Sequence, residues 1–158
     1  MGEQAEKMLD IVRNCLDRQG WRHEYDPEKQ FLMMQFSLDC KLQNTRLVLS
    51  FRDDGYSIIS LINLKAEEQY RTEVLRYLTM ANWGMRRGCF EMDLNDGEIR
   101  FRAFTNYRGM DTLPEEIVRE SVALVLAMVN RYGDGLTALL MGFSTPEEEI
   151  KKAEAGRS

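Results

Sequence analysis

The residue types best suited to chemistry crowd into one stretch, NWGMRRGCFEMDLNDGEIRFRAF, residues 82–104. Arg86 and Arg87, bracketed by Gly84 and Gly88, are candidate anion-binding residues for a nucleotide or another small anionic ligand. GMRRG is not a phosphate loop, however. It lacks the GxxxxGK[ST] spacing and follows a helical segment, where a phosphate loop follows a strand. From Gly84 to Gly109 five arginines stand against four acids, too even a balance for a phosphate-backbone footprint. His23 beside Glu24 pairs two acid–base residue types, but it is the single histidine. Cys15, Cys40 and Cys89 make no CxxC pair and no disulfide framework, and one histidine cannot complete a Cys/His zinc set. Cys89 has no base within predictable reach. DLNDGEIRF echoes a calcium loop, but strands flank it and the terminal bidentate glutamate is missing. No catalytic, cofactor-binding or metal-ligating set converges, so the reading is of a protein that is not an enzyme and needs no cofactor.

The remaining composition narrows the partners. The chain has 158 residues, the length of one domain, and a net charge of -5. That field repels polyanions, so nucleic acid is not expected. The N-terminus, MGEQAEKMLDIVRN, has no basic segment leading into an apolar one. The longest apolar run, VALVLAMV at residues 122–129, is too short to span a membrane. A cytoplasmic protein without membrane contact is expected.

The elements that position these residues follow from periodicity. Residues 3–19 carry an apolar helical stripe that Gly20 ends; a short strand at 21–25 stops at Asp26-Pro27. Alternation marks strands at 30–38, 46–51 and 56–64, the last two joined around Asp54-Gly55. Two registers fit this hairpin, Phe51 opposite Ile58 or Leu49 opposite Ile59. Helical period returns at 67–83, followed by strands at 88–94 and 98–105. In that second hairpin, Leu94–Ile99, Asp93–Arg100, Met92–Phe101 and Glu91–Arg102 are the expected pairs, with one apolar face and one of opposite charges. Thr112 and Glu115 suggest a capping box for the last long helix. Its apolar period runs to about Tyr132, where Gly133 and Gly135 interrupt it. The expected fold is α+β, an antiparallel β-sheet with helices packed mainly on one face, in the order α-β-β-β-α-β-β-α. Residues 1–145 form one domain, and 146–158 a charged helical tail that frays.

The last long helix, SVALVLAMV at its centre, is apolar around much of its circumference. Either the fold buries it or a partner does. Val118, Val122, Val125 and Val129, one stripe of this helix, are the candidate partner-binding residues, in a homodimer or against a peptide client. Ten methionines suit either core filling or an adaptable binding surface.

The run MANWGMRRGCFEMDLNDGEIRFRAF resembles the signature region of the YbjN family. The matching features are Asn82 at the helix end, Gly88, Phe90, the Asp96-Gly97 turn and Ile99 to Arg102, with a Leu-Pro-Glu-Glu helix start after the hairpin. The resemblance covers roughly residues 5–145, judged by element order. It implies an architecture similar to type III secretion chaperones, commonly dimeric, and a regulatory or chaperone-like role. It carries over no catalytic residue.

Overall fold

A computed structural model describes residues 1–155. Strands β1 (Glu24–Asp26), β2 (Phe31–Ser37), β3 (Asn44–Arg52), β4 (Gly55–Lys65), β5 (Gly88–Met92) and β6 (Glu98–Asn106) form one six-stranded antiparallel sheet, ordered β1-β2-β3-β4-β6-β5. The helices are α1 (Glu3–Arg18), α2 (Arg71–Asn82, entered through a 3-10 turn at Glu68–Tyr70), α3 (Glu115–Leu140) and α4 (Pro146–Glu154). The α+β class is the expected one. Two elements extend the expected order: β1 makes four strands before α2, and α4 follows α3.

Strand alternation assembles the core. Leu32, Leu49, Ile58 and Ala103 lie in one cross-strand row; Met34, Leu47, Ser60, Phe101 and Phe90 form the next on the same face. Helix α1 covers this face at β3, α3 at β4 and β6, and α2 at β5, while α4 rests on α2 and α3. The polar groups taken inside are paired, as burial demands. Thr45 and Ser60 share a hydroxyl hydrogen bond of 2.6 Å, Tyr56 reaches Ser121 at 2.7 Å, and Tyr77 donates to the Tyr132 carbonyl at 2.7 Å.

Both hairpin registers differ from those expected. In the first, Phe51 faces Tyr56 and Arg52 faces Gly55, so the two-residue turn is Asp53-Asp54. Gly55 is a strand residue, and space is the reason for its glycine. A Cβ there would lie 2.4 Å from the Phe104 ring and 2.4 Å from the Thr105 carbonyl. Asp53 also acts over a longer range. Its carboxylate accepts from the Ala5 N–H at 3.1 Å and caps α1, whose own N-cap, Gly2, has no side chain. In the second hairpin Glu91 faces Arg100, Phe90 faces Phe101 and Cys89 faces Arg102. The pairs are displaced by two residues, which keeps the apolar and charged faces but changes every partner. The loop is Leu94–Gly97, closed by Asp93 N–H to Glu98 carbonyl at 2.9 Å.

Three further corrections concern the helices. Helix α3 starts at Glu115 after Pro114, without a side-chain cap. The Thr112 capping box does not form, because Glu115 instead accepts from Arg18 at 3.0 Å and Gln19 at 2.6 Å and joins α3 to the end of α1. Helix α3 also runs unbroken through Gly133 and Gly135. These glycines make room for neighbours: a Cβ on Gly133 would meet Cys40 Sγ at 2.5 Å, and one on Gly135 the Tyr77 hydroxyl at 2.4 Å. Finally, the charged tail expected to fray is packed as far as α4 reaches. Thr145 caps α4, accepting from Glu148 N–H at 3.3 Å, and Pro146 and Glu149 are buried. Residues 156–158 of that tail lie outside the described residues.

Candidate functional site: the helix-free face of the sheet

Among the described residues, the helices leave the second face of the sheet uncovered. Alternation sends Met33, Val48, Ile59 and Arg102 to this face in one row, and Gln35, Arg46, Leu61 and Arg100 in the next. Phe31 and Phe104 close one end, in a row bridged by Ser50 and Ser57. The apolar side chains here are half-buried by one another, and Phe104 is exposed. The result is an aliphatic strip centred on Ile59 and Leu61 of β4, with arginines on both neighbouring strands.

The charges are unevenly matched. Glu91 on β5 accepts from Arg100 Nε at 2.7 Å and from Arg102 Nε at 2.6 Å, so one carboxylate serves two guanidinium groups. Its burial pushes the Glu91 carboxyl up, but the hydrogen bonds from Arg100 and Arg102 outweigh this and hold it below its ordinary value. Asp93, the acid expected opposite Arg100, instead turns into the loop and accepts from the Asn95 N–H at 2.8 Å. Arg46 and Arg52 on β3 are exposed.

At one margin the strip runs into a groove. β1 pairs with β2 over Phe31 to Met33, so among the described residues the outer edge of β2 has no strand partner from Met34 onward. The chain leaving α1 diverges from that edge and opens a groove of about 870 Å³, lined by Trp21, Arg22, His23, Met33, Gln35 and Arg46 among others. His23 Nδ1 lies 3.0 Å from the Trp21 carbonyl and Nε2 lies 3.6 Å from Asp17. The ring is thus engaged by the turn that carries it. The opposite margin, β5, is closed: Asn82 donates to the Phe90 carbonyl at 2.9 Å and accepts from the Phe90 N–H at 2.7 Å, as a neighbouring strand would.

The sequence-predicted residues lie elsewhere. Val118, Val122, Val125 and Val129 are each 0% exposed, pressed onto the sheet under α3. They are core, and no partner can touch them in this fold. Arg86 and Arg87 are exposed in the α2–β5 loop, but Arg87 Nη1 is 3.3 Å from Glu120, so the two do not form a free cationic pair. Cys15 is buried, and burial pushes its thiol up; burial does the same for Cys40. The uncovered face escapes a reading that takes each strand alone. The alternation Arg46-Val48-Ser50-Arg52 and the pair Arg100-Arg102 are its available signal.

Comparison with known proteins places this geometry in context. A family model, YbjN, described as "Putative bacterial sensory transduction regulator", matches residues 8–138. Among solved structures, "Crystal structure of YbjN, a putative transcription regulator from E. coli" is similar in fold, with a TM-score of 0.57 at 14% identity. The match covers 79% of this chain and 90% of that one. No curated protein matches. Among the described residues, no helix is long and apolar enough to cross a membrane.

Proposed function

The chain belongs to the YbjN family, and from that premise we propose that it is a regulatory, chaperone-like binding module that acts by holding a segment of another protein rather than by catalysis. The observation that supports this reading is the helix-free sheet face, where an aliphatic strip on β3 and β4 lies between arginine-bearing strands. A face of this kind buries apolar side chains of a partner at its centre and orients them with charge at its rim. Nothing in the strip carries a nucleophile beside a base, so the surface suits recognition. The proposal includes a homodimer. With the valine stripe buried, the exposed large apolar side chains away from the sheet face are Leu75, Trp83, Leu94, Met110, Met141 and Phe143, Trp83 at 87% and Phe143 at 83%.

Two measurements test the proposal. Size exclusion with light scattering across a range of protein concentrations should give the mass of a dimer, and a monomer at every concentration would remove that part. Affinity capture from cells should be run in parallel with the wild-type chain and with Ile59→Lys. Proteins retained by the first and lost by the second support the sheet face as the docking surface. Identical capture by both would refute it.

A further inference from the structure

We infer that the segment held on the helix-free face is acidic and amphipathic, an inference that rests on the docking reading above. The whole chain has 26 acidic and 21 basic residues, yet the centre of this face gathers arginines. Its centre holds Arg46, Arg52, Arg100 and Arg102, with Glu91 shared by two of the four; the other acids of the face stand at its margins, Glu98 opposite Lys65 and Glu24 and Asp26 on β1. The arginines lie on both sides of β4. Arg46 and Arg100 flank Leu61 in one row, and Arg102 adjoins Ile59 in the next. Neighbouring strands are about 4.8 Å apart, so a chain lying along β4 rests its apolar side chains on Ile59 and Leu61. Its intervening carboxylates then reach guanidinium groups to left and right. Guanidinium forks favour carboxylates in such paired contacts.

Charge also rules on the other occupants. Two copies of this face pressed together would gather both sets of central arginines in one interface. The chain's own acid-rich element, α4, is committed: Glu147 pairs with Arg76, Ser144 donates to Glu148 at 3.1 Å, and Lys152 holds Glu149 at 2.9 Å. A single-stranded nucleic acid needs aromatic platforms for its bases. The centre of this strip is aliphatic, and Phe31 and Phe104 stand three strand spacings apart, about 14 Å.

The test is selection from a random twelve-residue peptide library displayed on phage, against the 158-residue chain, with Arg46→Glu and Ile59→Lys proteins as counter-selection. Both substitutions lie outside the core, so folded variants are expected and circular dichroism checks them. The expected winners alternate Asp or Glu with Leu, Val or Phe, and lose affinity with rising salt. They should bind Arg46→Glu roughly tenfold more weakly, since two unit charges change beside a solvated partner. Winners that are neutral or basic, yet still lost with Ile59→Lys, would overturn the acidic assignment and leave the docking face standing. Failure to enrich any peptide sensitive to Ile59→Lys would overturn the docking face itself. Binding of a twelve-nucleotide oligo(U) more tightly than the best peptide would replace both with nucleic-acid recognition.

Discussion

Replacing Val125 separates core from interface, and its size can be worked from the structure. Val125 is fully buried between α3 and the sheet, with Val122 and Val129 one turn away on either side. Val125→Ala removes two methyl groups, which costs about 1.6 kcal/mol in lost burial. Incomplete collapse of the space left behind raises this to roughly 2–3 kcal/mol. The pair Val122→Asp, Val125→Asp would bury two unpaired carboxylates, each costing several kcal/mol, against a total stability of about 5–15 kcal/mol. That protein should not fold. The assay is urea denaturation followed by circular dichroism at two protein concentrations tenfold apart, with light scattering on each sample. A core residue lowers the midpoint equally at both concentrations and leaves the native mass unchanged. A folded double-aspartate protein of half the wild-type mass would refute the reasoning, because the stripe would then be an interface. So would a Val125→Ala effect that disappears at high protein concentration.

Gly135→Ala should destabilise by roughly 1–3 kcal/mol through overpacking, because its Cβ would lie 2.4 Å from the Tyr77 hydroxyl; a helix-interior glycine otherwise gains about 1 kcal/mol from this change, so thermal melting reads the sign directly. Asn82→Ala strips both backbone partners from Phe90; it should cost about 1–3 kcal/mol, and hydrogen exchange should show the Phe90 amide opening faster while the β3 amides stay protected. Asp53→Ala should cost about 1 kcal/mol by uncapping α1, seen as a lower melting temperature with unchanged helix content at low temperature. Glu91 titrates below its ordinary value in the fold, so the stability it adds is complete above the unfolded value of about 4.3 and is lost as pH falls through the lowered folded value. Glu91→Gln should therefore be less stable than wild type at pH 7, with the two curves converging once pH falls below the lowered folded value in acid titrations of the urea midpoint.

The elements were legible from the sequence because local periodicity writes them directly. The alternation read at 30–38 and 98–105 falls within one residue of β2 and β6, and the helical stripes of α1 and α2 fall on those helices. The α+β class and the helices on one face followed from that order, and the family from the resemblance carried by residues 80–104. Local pattern also set which residues of each strand share a face, and this survived even where the pairing was wrong. In the β5–β6 hairpin a two-residue displacement preserves parity, so Met92 and Phe101 still face the core although they are not partners. Parity is a property of one strand; register depends on which loop closes and on what lies beyond it.

Only the tertiary structure decided what each surface is for. The apolar helix α3 could have been buried by the sheet or by a partner, and both demand the same valines. The sheet takes them, leaving each at 0% exposure. Gly133 and Gly135 read as a helix break because the reason for them, Cys40 and Tyr77, comes from distant segments. Asp53 sits in a turn, and the helix end it also caps lies 48 positions away in sequence, beyond the reach of local pattern. The strip on β4 and the arginines beside it belong to no single segment. β4 and β6 are separated in sequence by α2 and β5 and become neighbours only when β6 pairs antiparallel with β4. Local sequence determines secondary structure and facing, since those depend on bonds and neighbours within a few residues. The face left uncovered, and the charge gathered on it, exist only after long-range pairing has brought separate strands side by side.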